Sequence, residues 1–190
     1  SPEGTVFEGD LEVTLSVETP GTEIRSTLDG AEPSAASALY TGPITLSTST
    51  LLRAKGMKSG LADSPVVSMG YIAIAGSIRD FSSDITVVVI ENFGGGRPPK
   101  DPKEPGFMAI FEPGADGRTR LVRSGDIELP ALRNRIGIEV RGSSTGGREK
   151  ASFSFEFRDE DDDDQDCSPL GLPEESDWIL YGAYNFDRAL

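Results

Sequence analysis

The chain contains no histidine and a single cysteine, Cys167. Without histidine, a Ser-His-Asp triad cannot be assembled within it. With one thiol there is no internal disulfide. Carboxylates surround Cys167, and neighbouring negative charge raises a thiol's pKa, so it reads as a passive small residue. Pairing with a thiol of another chain stays open in an oxidising compartment. Positive charge is also scarce: 18 Lys and Arg stand against 32 Asp and Glu, a net charge of −14. Phosphate backbones are repelled by such a surface, which argues against nucleic-acid binding. Anionic membrane surfaces are disfavoured for the same reason. The apolar runs, such as Thr86-Val87-Val88-Val89-Ile90, fall far short of the about 20 residues needed to cross a bilayer as a helix, so no membrane insertion is expected. No signal peptide is visible, and a start at Ser1 reads as a mature or excised piece.

Turn formers, by contrast, are abundant. The 190 residues include 22 Gly and 13 Pro, with 36% hydrophobic content. That balance fits a mainly β protein of many short strands, long enough to bury a real core in one large or two small domains. Leu11, Val13, Leu15 and Val17 alternate with polar residues, the signature of a half-buried strand. Pro20-Gly21 and Asp29-Gly30 mark turns on either side of a strand flanked by Ile24 and Leu28. Leu39-Tyr40 and Ile44-Thr45-Leu46 bracket Thr41-Gly42-Pro43. Leu51 to Lys55 and Val66 to Met69 are further strands. Their roughly 8–12-residue spacing predicts a β-sandwich.

The small polar residues 74–84 read as a linker. Ile85 to Ile90, continuous and β-branched, predicts a buried strand. Residues 93–105, with Gly94-Gly95-Gly96 and Pro98-Pro99, form an exposed loop and not a dinucleotide fingerprint, because the prolines prevent a helix from opening there. Met108 to Phe111, Arg133 to Arg141, Ala151 to Arg158 and Trp178 to Tyr181 are strands, and Asp187 is placed to cap a helix.

Three motifs invite chemistry. Gly142-Ser143-Ser144-Thr145-Gly146 has the spacing of a nucleophile elbow, but histidine is absent and the flanks are strand–loop–strand. Gly142 and Gly147 have phosphate-loop spacing, yet Arg148 stands where Lys is required and no helix follows. As letters alone, that loop is most simply a glycine-rich hairpin. The run Asp159-Glu160-Asp161-Asp162-Asp163-Asp164-Gln165-Asp166 offers oxygen ligands for calcium through Asp159, Asp161 and Asp163, without the register of an EF-hand. The favoured reading there is a solvated loop held open by self-repulsion.

Two family resemblances overlie these readings. Ser26-Thr27-Leu28-Asp29-Gly30, Glu32-Pro33, Leu39-Tyr40-Thr41-Gly42-Pro43-Ile44 and Leu51-Leu52-Arg53-Ala54-Lys55 occur in the order and spacing of the chitobiase C-terminal-like, or fibronectin-III-associated, domain. This resemblance covers residues 1–73 and implies an immunoglobulin-like accessory sandwich of a secreted bacterial protein, itself not catalytic. Further on, Arg141-Gly142 and Ser144, then Lys150, Ser152 and Phe153, then Leu170 to Tyr181 and Tyr184 to Arg188 resemble the first part of the CotH family of bacterial protein kinases. Ala151 departs from a second Lys of that pattern, and Glu149 adds a negative charge. The resemblance implies a nucleotide site for ATP with magnesium involving Arg141, Ser144, Lys150, Asn185 and Arg188. The family's metal-binding and catalytic carboxylates have no counterpart before Leu190, so catalysis is not expected of this piece.

The expectation is therefore an immunoglobulin-like sandwich at 1–73, a linker at 74–84, and a β-rich, incomplete α+β CotH-like portion at 85–190. Its role would be that of a non-catalytic structural or interaction module, outside the cell or on its surface, with protein partners in a surface or coat assembly. Two alternatives stay open: the ATP-binding half of a kinase, and carbohydrate binding by the first unit. The latter has few aromatics to draw on, namely Phe7, Tyr40 and Tyr71.

Overall fold

A computed structural model describes residues 6–123, 126–127, 130–142, 147 and 150–182. Among them the chain is mainly β and immunoglobulin-like, with only two single-turn 3-10 segments. The first part comprises β1 (Val6–Phe7), β2 (Leu11–Val13), β3 (Glu23–Thr27), β4 (Ala38–Leu39), β5 (Ile44–Leu46), β6 (Thr50–Met57) and β7 (Val67–Ala73). There follow β8 (Ser82–Ser83), β9 (Val87–Glu91), β10 (Glu104–Phe111), β11 (Thr119–Arg120), β12 (Val122–Arg123) and β13 (Asp126–Ile127). The last three are β14 (Leu132–Arg141), β15 (Ser152–Arg158) and β16 (Asp177–Leu180).

Two five-stranded sheets dominate, ordered β1-β7-β6-β3-β4 and β16-β15-β14-β10-β9. The ribbon β2–β5 covers one face of the first sheet. Between them lie Phe7, Val13, Leu46, Leu52 and Tyr71, all buried. The expected strand from Leu11 to Val17 stops at Val13. Its register with β5 pairs Val13 with Ile44, so the next position would face Pro43, which has no amide to donate. Leu15 still packs on the core, while Val17 is exposed.

Part of the opposite face of the first sheet, on β1, β7 and β6, is also covered. Val6, Leu51 and Ile72 pack against Phe107, Ala109, Phe111 and Leu121 of the second half of the chain. Side chains alternate across a strand, so β6 sends Leu52 to one core and Leu51 to the other. The two halves therefore share a core. At its centre Gly70 lies under the ring of Phe107. A Cβ there would overlap that ring, with even Cδ2 only 2.7 Å away.

The second sheet's other face carries Met108, Ile110, Ile136, Ile138, Phe155 and Phe157. Phe155 and Phe157 meet edge-to-face at 5.4 Å between ring centroids. The run expected to be a buried strand is instead the sheet's edge, β9. Val87 and Val89 touch the shared core and Ile90 the outer one, but Val88 is 38% and Ile85 69% exposed. Both faces are apolar because each borders a core, and the edge position leaves the strand half open. Residues 74–84 contain a 3-10 turn (Gly76–Ile78) and β8, which pairs with β11. Trp178 packs on the outer core and its indole N–H donates to Glu175 O at 2.8 Å, whereas Tyr181, just past the end of β16, is 70% exposed. Position 187 lies outside the described residues.

Candidate functional site

Three polar arrangements stand out. The first is an open groove of about 610 Å³ beside the end of β3 and the edge strand β4. Leu28, Asp29, Leu39, Tyr40, Thr41 and Pro43 line it. Leu28 and Leu39 are 47% and 45% exposed, an unusual amount of apolar surface for one small depression. Leu39 is paired with Arg25 of β3, and Tyr40 N–H donates to Ile24 O at 2.9 Å, which holds the β4 end against β3 beside the groove.

The second is a charged seam between the sheets. Arg53, only 3% exposed, rises from β6; Arg135, 5% exposed, rises from β14. Arg53 donates from Nε to Ser68 Oγ at 3.1 Å and from Nη1 to Gly30 O at 3.3 Å. Its Nη2 donates to the carbonyl of Glu160 and lies 3.5 Å from that residue's carboxylate. Ser68 donates to the same carboxylate twice, from its backbone N–H at 2.8 Å and from its hydroxyl. Arg135 donates to Asp159 O and pairs with the carboxylate of Asp162. A cavity of about 220 Å³ opens at this seam.

The third lies on β15 and β16. Lys103, at the end of the proline-rich loop, reaches the carboxylates of Glu156 and Asp177, the latter at 2.9 Å. Arg158 also donates to Glu156, from Nε at 2.8 Å, with its guanidinium laid over Gly137. Burial alone would push the Lys103 ammonium down, but its bonds to Glu156 and Asp177 outweigh that and raise it above its ordinary value. Burial likewise pushes the Glu156 carboxyl up, and the bonds from Lys103 and Arg158 win, holding it below its ordinary range.

The acidic run is exposed from Asp161 to Asp166, as a solvated loop should be, but self-repulsion is not what shapes it. It is folded around cations: Glu160 and Asp162 serve the two buried guanidinium groups. Asp159 turns inward on its own backbone, its Oδ1 accepting from the amides of Asp161 at 2.9 Å and Asp163 at 3.0 Å. The calcium ligands expected at Asp159, Asp161 and Asp163 are not brought together, and among the described residues no three His, Cys, Asp or Glu side chains converge as a metal-binding group. Of the residues expected at a nucleotide, Arg141 ends β14 opposite Ser152, and Lys150 is exposed two residues before Ser152. Ser144, Asn185 and Arg188 lie outside the described residues. Cys167 is half-buried; burial pushes its thiol up, Asp166 and Glu174 add to this, and a 3.3 Å hydrogen bond from Asn134 opposes it.

Sequence reasoning did not single out Arg53, Arg135, Glu160, Lys103 or Glu156 as site residues. One signal was present for Arg53. The run Leu51-Leu52-Arg53 is buried without a break, so both faces of β6 are covered and the arginine between them needs a buried counter-charge.

The architecture is that of an immunoglobulin-like β-sandwich. Residues 1–68 match the family model of the chitobiase/beta-hexosaminidase C-terminal domain, a carbohydrate-associated accessory module. The chain has no match among curated proteins or solved structures. No helix among the described residues is long and apolar enough to cross a membrane.

Proposed function

We propose that the chain is a non-catalytic interaction module of a larger secreted or cell-surface bacterial protein, and that it presents the β3–β4 groove to a carbohydrate. The match of residues 1–68 to a carbohydrate-associated family carries this reading. The groove supports it: it has a half-buried tyrosine ring for a sugar face, apolar Leu28 and Leu39 beside it, and Asp29 and Thr41 as partners for hydroxyl groups. One ring gives weak affinity, as suits a module that works beside other domains or protein partners in a surface assembly. Affinity electrophoresis of the full chain through gels containing neutral polysaccharides tests it. Retardation that disappears in Tyr40→Ala, with the melting temperature unchanged, supports the reading. Unretarded migration in every polysaccharide removes the carbohydrate assignment.

A second reading, the ATP-binding half of a CotH-like kinase inactive without further chain, draws on one observation. Arg141 and Lys150 flank the same end of the β14–β15 pair, so two cations are available to phosphate oxygens there. A thermal shift with ATP and magnesium that is lost in Lys150→Ala would support it, and no shift would remove it.

A further inference from the structure

The two halves of the chain each bury a cation that their own sheet leaves without a counter-charge. In the first half, Arg53 finds only a hydroxyl, Ser68, and a carbonyl, Gly30. Its carboxylate comes from Glu160, 107 residues along the chain. In the second half, Arg135 rises from β14 and is neutralised by Asp162, with Glu160 a further 3.9 Å contact. A guanidinium at 3% or 5% exposure without an anion is strongly unfavourable. The apolar part of the seam is equally divided: Val6, Leu51 and Ile72 would be bare without Phe107, Ala109 and Phe111. Ser68, between the two arginines, spends both its amide and its hydroxyl on Glu160.

We propose that residues 159–163 act as a keystone that locks the first unit onto the second sheet, so that the two fold and unfold as one body. The consequence for recognition is specific. The β1-β7-β6 face of the first unit is permanently closed to any partner, and the module does not swing on a linker. Recognition by the first unit is confined to its free side, where the β3–β4 groove lies. The inference stands on the seam alone and does not depend on what fills the groove.

Scanning calorimetry and hydrogen exchange read by mass spectrometry test it on the full chain. The unmodified protein should show one transition whose calorimetric and van't Hoff enthalpies agree. Glu160→Ala should lower that transition by about 4–8 °C, a drop set by two buried guanidinium groups and discounted for the 38% exposure of the Glu160 side chain. Exchange should rise together in β6–β7 and in β10–β14. Glu160→Gln, which keeps one of the two acceptors for Ser68 and loses the charge, should fall between. Asp164→Ala, the same charge change at an exposed position outside the network, should move the midpoint by less than about 1 °C. Two resolved transitions in the unmodified protein would overturn the proposal. So would a Glu160→Ala variant in which β6–β7 exchange is unchanged. If Glu160→Ala fails to fold, the enthalpy ratio of the unmodified protein decides.

Discussion

Gly70→Ala is a one-methyl change whose cost can be worked from the geometry. Gly70 sits in β7 on the face that meets the second half of the chain, and the added Cβ would stand inside the Phe107 ring, with Cδ2 at 2.7 Å. Real carbon contacts lie near 3.5–4.0 Å, so the ring must retreat by more than about 1 Å. It has little room to do so: Phe107 is 3% exposed and is packed among Val6, Leu51, Ile72 and Phe111. Backing the ring away therefore means shifting β10 against β7, and overpacking of this kind costs about 1–3 kcal/mol. At about 2–4 °C per kcal/mol for a chain of this size, the melting temperature should fall by roughly 2–12 °C. Phe107→Ala alone removes the ring and should cost about 3–5 kcal/mol. The double variant decides the cause. If the ring is what the methyl strikes, Gly70→Ala adds nothing once Phe107 is alanine, and the two single costs exceed the double cost by at least about 1 kcal/mol. Urea denaturation followed by Trp178 fluorescence provides all four free energies. A Gly70→Ala variant within about 0.5 kcal/mol of the parent, or strict additivity in the double variant, would refute the close packing of the two sheets.

Other consequences can be checked alongside. Glu156 has a folded pKa below its ordinary 4.5, so the stability it contributes is present above pH 4.5 and lost as pH falls through the depressed value. Glu156→Gln should weaken the protein at neutral pH and flatten its acid-side loss, as read by melting temperature against pH; an unchanged acid limb would count against the pair. Lys103 is raised above 10.5, so its contribution is complete below that pH and disappears as pH rises through the raised value, a loss that Lys103→Met should abolish. Cys167, with its thiol pushed up by burial and then by Asp166 and Glu174, should alkylate more slowly in the folded protein than in urea; equal rates would contradict its placement. Leu39→Asp in the groove should leave the melting temperature within about 2 °C because the side chain is 45% exposed, while abolishing retardation by any polysaccharide that binds.

The strands of the first half were readable because each has one face on a core and turn formers on both sides. Leu11 and Val13, Ile44 and Leu46, and Leu52 with Ala54 all contribute the inward face that their alternation implies. What alternation cannot reveal is a second core on the reverse face. Leu51 and Ile72 carry that information, but two adjacent apolar residues look the same whether a strand is covered by one layer or two. The misreading of 85–90 has the same origin. A continuous apolar run signals contact with two cores, which β9 has, and says nothing about whether a neighbour lies on each side within the sheet, which β9 lacks. The pairing of the acidic run was not legible because its partners are far away in sequence: Ser68 is 92 residues from Glu160 and Arg135 is 27 from Asp162. Charge density along the chain implies exposure, which Asp161 to Asp166 have, and says nothing of a buried cation within reach.

That last point bears on why the seam is polar at all. Buried ion pairs are poor sources of net stability, since desolvation offsets most of the attraction, and an apolar seam of equal volume would hold the sheets at least as firmly. An apolar seam, however, is tolerant of sliding: Val, Leu and Ile against Phe and Ala form contacts of similar energy in several offsets. A guanidinium fork is not tolerant, because its donors must meet fixed oxygens in direction as well as distance. Arg53 reaches both the carbonyl and the carboxylate of one residue, and Ser68 beside it donates twice to that carboxylate, so a small offset between β6–β7 and the turn at 159–163 would break several bonds at once. The polar seam thus sets the relative position of the sheets while the apolar seam supplies the adhesion. Division of labour of this kind fixes the attitude of the β3–β4 groove relative to the second sheet.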